Sequence, residues 1–170
     1  MSNNDETQTA SPQFSTLQIG LTGSIGMGKS SVSKQLMKLG FPVFDADKEV
    51  HTLYASGGLA VEPIRDLFPD AIAEDNSVNR SKLMEIIMNN SSCLQDIERI
   101  VHPLVIKGRQ SFYKKCNAEG QFLVVYDIPL LFENRANYEV DYIIVVTADA
   151  ETQRTRVLSR PGERMLISHR

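Results

Sequence analysis

Residues Gly23-Ser-Ile-Gly-Met-Gly28-Lys29-Ser30 follow the pattern G-x-x-x-x-G-K-S, and they dictate how the first forty residues must fold. Leu17 to Thr22 is a short apolar run that predicts a buried strand. Ser31 to Leu39 carries Val32, Leu36 and Leu39 at helical spacing. A strand, a glycine-rich turn and a helix form the setting in which this pattern is a phosphate-binding Walker A loop. Glycines let the backbone curl closely round an anion so that successive N–H groups point inward. The start of the following helix adds partial positive charge at the same point. Gly23, Ser24, Ile25, Gly26, Met27, Gly28, Lys29, Ser30 and Ser31 are therefore the nucleotide-binding candidates. Within them, the Lys29 ammonium would reach the β- and γ-phosphates, and the Ser30 hydroxyl would ligate Mg²⁺. An ordinary glycine-rich turn would need neither the lysine nor the hydroxyl.

The 170 residues suffice for one domain with a core of its own. A net charge of −3 argues against a general nucleic-acid binder, which needs a surplus of Lys and Arg. Cys93 and Cys116 have no C-x-x-C spacing and no paired histidines, so neither zinc nor a disulfide framework is expected. Residues 1–16 are polar and slightly acidic and read as a disordered tail. The tail has neither the apolar stretch of a signal peptide nor the arginines of a transit peptide, and no run reaches membrane-spanning length. The expected location is the cytoplasm, with small-molecule partners and no membrane partner; the oligomeric state stays open.

Further strands are predicted at Phe41 to Ala46, Phe122 to Ile128 and Asp141 to Thr147. The last two are apolar without alternation, as strands covered on both faces are. Helices are predicted over Asp47 to Ala55, Leu59 to Phe68, Ser81 to Asn89 and Ser92 to His102. Pro103 then separates the last of these from a helix reaching about Cys116, and Asp149 to Ser159 closes the series. Pro69 to Asn79 reads as a polar connection. Strands separated by helices imply parallel pairing with right-handed crossovers. The strandless block of about 59–116 reads as a helical insertion.

Asp45-Ala-Asp47 ends the second strand, where an open parallel sheet faces its ligand. One of these carboxylates could take the proton of an attacking hydroxyl, or simply cap the next helix; spacing does not decide. Asp127 ends an apolar strand, where a buried carboxylate is costly unless paired or metal-linked, so it reads as a Mg²⁺ group beside Ser30. Pro129, Leu130 and Leu131 follow at once, as core or as substrate wall. Arg156 and Arg160 share a helix face with i,i+4 spacing, and either bind phosphate or face solvent. His102 before Pro103 is equally ambiguous.

These pieces together resemble the dephospho-coenzyme A kinase family, P-loop kinases of the nucleoside-monophosphate-kinase type. The matching stretches are GLTGSIGMGKS (Gly20–Ser30), VFDAD (Val43–Asp47), VHPLV (Val101–Val105), DIPLLFE (Asp127–Glu133) and ETQRTRVLSR (Glu151–Arg160). The resemblance implies a three-layer α/β domain over 17–170. It implies ATP- and Mg²⁺-dependent phosphorylation of the ribose 3′-hydroxyl of dephospho-coenzyme A, the last step of coenzyme A synthesis. It assigns Asp47, Lys29 and Arg156 to catalysis, Asp127 and Ser30 to the metal, and Arg160 to the nucleotide. Thr22, His102, Pro129, Leu130 and Leu131 fall on the acceptor side, and 59–116 matches a helical substrate-binding region.

The resemblance stops near Arg160-Pro-Gly162, where family members continue through a lid and a fifth strand. It thus implies four of five strands, with residues 143–147 left as an exposed apolar edge. A non-catalytic nucleotide-binding remnant, a truncated isoform and another small-molecule P-loop kinase are the rival readings.

Overall fold

The computed structural model describes residues 15–129 and 140–159. Four strands, β1 (Leu17–Thr22), β2 (Val43–Asp45), β3 (Leu123–Asp127) and β4 (Tyr142–Val145), form one parallel sheet in the order β2-β3-β1-β4. Among the described residues six α-helices accompany them: α1 (Lys29–Lys38), α2 (Ala46–Tyr54), α3 (Val61–Leu67), α4 (Arg80–Asn89), α5 (Ser92–Ala118) and α6 (Ala150–Leu158). The α/β class and parallel pairing expected from the alternation of elements are both present.

Strand β3 is the centre of the molecule. Val124, Tyr126 and Ile128 point to one face and join Phe44 of β2 in a core closed by α2 to α5. Phe112 of α5 packs on Phe44 with ring centroids 5.6 Å apart, and the Arg109 guanidinium stacks over Tyr126 at 5.3 Å. Burial pushes the Tyr126 phenol up to about 12, and its hydroxyl donates to Gln18 Oε1 at 2.8 Å. Val125 alternates to the opposite face, where it is 1% exposed.

Four expectations change. Pro103 does not separate two helices, because α5 runs unbroken through it from Ser92 to Ala118. Proline removes one helical hydrogen bond, but buried Ile97 and Val105 on either side hold both halves on the core. The connection after α3 is not merely polar: a 3-10 turn at Pro69–Ala71 and an antiparallel bridge between Ile72 and Val78 bury Ala71 and Val78. Strand β4 is not covered on both faces. Tyr142, Ile143, Ile144 and Val145 are all exposed, and among the described residues β4 is the sheet edge, as the shortened resemblance implied. The tail boundary also moves: Thr16 is buried, and its hydroxyl donates to the Gln121 carbonyl at 2.7 Å.

Candidate active site

The register brings the chemistry to one end of the sheet. Leu21 of β1 and Asp45 of β2 both lie beside Asp127, so the C-terminal ends of three strands converge. The loop 23–28 leaves β1 there and enters α1 at Lys29. Gly26 and Gly28 take φ of 77° and 100°, left-handed values that side chains resist. Gly28 is the cap of α1 without any side-chain cap bond, which leaves the leading N–H groups for an anion.

A Cβ at Gly26 would come within 2.8 Å of Val157 Cγ2, and one at Gly23 within 2.7 Å of the Val146 carbonyl. The loop is therefore pressed against the end of β4 and against α6. Gln153 Nε2 donates to the Ile25 carbonyl at 2.9 Å, and Arg156 Nη1 donates to the Gly26 and Met27 carbonyls at 3.3 Å each. The Ala148 N–H lies 3.1 Å from Met27 Sδ. Asp149 caps α6 by accepting from the Thr152 N–H at 2.8 Å and its hydroxyl at 2.8 Å; the N–H bond first, then the hydroxyl, lowers its pKa.

Lys29 Nζ donates to Asp127 Oδ1, and both side chains are largely buried. The two residues expected at the phosphates and at the metal thus meet each other. Asp45 accepts from the Lys48 N–H at 3.0 Å and is the N-cap of α2. That occupies Asp45 and leaves Asp47, exposed in the first turn, without a hydrogen bond or ion pair among the described residues. The two carboxylates thus differ in geometry: Asp45 caps α2, and Asp47 is open.

Thr22 is buried at the end of β1, and Pro129 is half-buried just after Asp127. Ser24, Ser30, Ser31 and Arg156 are exposed. His102 is exposed on α5 and makes no hydrogen bond to a described site residue. Leu130, Leu131 and Arg160 lie outside the described residues. Gln153 was missed by the sequence reading. The available signal was its i,i+3 spacing to Arg156, which places both on one face of α6.

The family model for dephospho-CoA kinase matches residues 17–165. The chain belongs to that family. A dephospho-CoA kinase of Rhizobium meliloti is 46% identical over 144 residues, covering 85% of this chain and 73% of the relative. A dephospho-CoA kinase of Jannaschia is 47% identical over 142 residues, covering 84% and 72%. The crystal structure of TT1252 from Thermus thermophilus superposes with a TM-score of 0.71 at 30% identity, over 88% of this chain and 74% of that one. A dephospho-CoA kinase from Campylobacter jejuni, 17% identical, shares the fold with a TM-score of 0.61 over 85% of this chain and 96% of its own.

Dephospho-CoA kinases catalyse the final step of coenzyme A synthesis and use ATP with Mg²⁺. The residues present fit both. The left-handed glycines and uncapped α1 start make a phosphate cradle. Among the described residues no group of three His, Cys, Asp or Glu could hold a metal unaided. Mg²⁺ needs no such cage, because one or two protein oxygens plus phosphates and water complete its shell. Among the described residues no helix is long and apolar enough to cross a membrane.

Proposed function

We propose that this chain itself transfers the γ-phosphoryl group of ATP to the 3′-hydroxyl of dephospho-coenzyme A. The observation that carries the reading is the division of labour at the end of β2: Asp45 is committed to capping, while Asp47 stands open at the same sheet end as Lys29 and Asp127.

In this mechanism the backbone of Gly23 to Ser31 wraps the triphosphate, and the start of α1 supplies N–H groups to it. Lys29 leaves Asp127 and places its charge between the β- and γ-phosphates. Ser30 and Asp127 would hold Mg²⁺, which would supply positive charge to offset that of the polyphosphate. Asp47 accepts the proton of the 3′-hydroxyl as that oxygen bonds to the γ-phosphorus. The bond to the β,γ-bridging oxygen breaks and ADP departs. Arg156 holds the loop carbonyls of Gly26 and Met27, and so keeps the loop N–H groups turned inward. Thr22, Pro129 and the 59–116 helices border the acceptor, with His102 on α5 as a further acceptor-side group. The roles of Leu130, Leu131 and Arg160 rest on the resemblance alone. The reading includes a cytoplasmic location, which the biosynthetic role of the family supports.

The test is ADP release measured with dephospho-coenzyme A against nucleosides and sugars as acceptors, with the product's phosphate located by mass spectrometry. A 3′-phosphorylated product formed preferentially from dephospho-coenzyme A is expected. Preference for another acceptor, or ATP binding without transfer to any, would overturn the reading.

A further inference from the structure

Asp47 and His51 stand one turn apart on the exposed face of α2. Beyond His51 lies Arg80, the first residue of α4, with Nη1 2.8 Å from His51 Nε2 and 3.3 Å from Nδ1. The backbone that carries Arg80 is pinned. The Val78 N–H donates to the Tyr54 carbonyl at 2.8 Å, the Asn79 N–H donates to the Ala71 carbonyl at 2.7 Å, and Asn79 caps α4. Burial raises the Tyr54 pKa and the Arg80 charge opposes that rise, which puts the cation over the end of α2.

Arg80 has a different kind of partner from the ion-paired cations. Arg65 pairs with Glu62, Arg99 with Asp96, Lys115 with Glu119 and Lys29 with Asp127. Arg80 meets no carboxylate among the described residues. An imidazole can orient a guanidinium without cancelling its charge, so the full positive charge remains available to an anion.

We propose that Arg80, held in place by His51, binds the 5′-linked diphosphate of the acceptor nucleotide. This deepens the kinase reading and rests on it. With the 3′-hydroxyl at Asp47, the nearest negative charge on such an acceptor is its diphosphate, across the ribose ring. One helical turn, ~5.4 Å, separates Asp47 from His51 and is comparable to that span. The planar fork of arginine matches paired phosphate oxygens. A purely structural role is the competing account, since a cation at the end of α2 also complements the helix dipole.

The two accounts differ in what they do to ligands. The intact chain, with its ATP site filled by a non-hydrolysable analogue, is titrated with dephospho-coenzyme A and separately with adenosine, which lacks the diphosphate. The parent, Arg80→Gln and Arg80→Lys are compared, with circular dichroism to verify folding. Arg80→Gln is expected to weaken dephospho-coenzyme A about 10-fold or more, leave adenosine within about two-fold, and be partly rescued by lysine. Unchanged affinity for dephospho-coenzyme A overturns the inference, and so does an equal loss for adenosine, which marks a structural role. A parent chain that binds adenosine but not dephospho-coenzyme A defeats the kinase reading and the inference together.

Discussion

The side-chain amide of Gln153 donates to the carbonyl oxygen of Ile25 at 2.9 Å, so α6 grips the phosphate loop from 128 residues away. Beside it, Val157 fills the space that a side chain at Gly26 would need. The loop's shape is thus set from outside as well as by its glycines.

Gln153→Ala is expected to raise the KM for ATP about five-fold, the value of one ordinary hydrogen bond, with a smaller change in kcat. Gln153→Glu removes the donor and should not rescue it. Steady-state kinetics at varied ATP decides; an unchanged KM in both variants means the bond does not position the loop.

Asp47→Asn should lower turnover by about 10² to 10⁴-fold with ATP affinity nearly intact, because the proton acceptor is lost. Asp45→Asn should be close to neutral, since asparagine caps as well as aspartate. Asp45→Ala should cost about 1 kcal/mol of stability. If Asp45→Asn proves the more damaging to turnover, the two roles are reversed.

Lys29→Met should reduce turnover by about 10²-fold or more, since nothing else described places a cation between the phosphates. It should also destabilise the fold by about 3–5 kcal/mol, because Asp127 is left 5% exposed without its partner. Adding Asp127→Asn should restore most of the stability and none of the turnover. Denaturant melts beside activity assays separate these effects; a Lys29→Met protein as stable as the parent would show that the pair holds nothing together.

The β4 edge should drive self-association. Among the described residues its outer side has no strand partner, and with the exposed Tyr142, Ile143, Ile144 and Val145 it forms a pairing template. Sedimentation should show weight-average mass rising with concentration, and Ile143→Lys should suppress the rise. A parent chain that remains monomeric at every concentration tested would count against this.

Much of the site could be read from the sequence because its parts are local. The strand, loop and helix of residues 17–38 follow from contiguous residues, and Asp127 was marked by a charge ending an apolar run. What could not be read depends on distant neighbours. Asp45 and Asp47 both start α2, and only the bond to the Lys48 N–H tells cap from open carboxylate. Pro103 reads locally as a break, yet packing on both sides of it keeps α5 whole. The grip of Gln153 on Ile25 exists only once α6 lies beside the loop; spacing puts Gln153 on the Arg156 face of α6 but does not name Ile25 as its partner.

The strand order has a consequence for how the molecule comes into being. Among the described residues β1 pairs only with β3 and β4, and β2 only with β3, so Leu17 must wait for Leu123. At ribosomal speeds of about 5–20 residues per second, that wait for roughly a hundred residues lasts on the order of 5 to 20 s. The helices α2 to α5, close neighbours in sequence, emerge and can pack during it. The nascent chain therefore carries an orphaned apolar strand at its head while its middle is already taking shape. The nucleotide pocket, first in the sequence, is among the last features to be assembled.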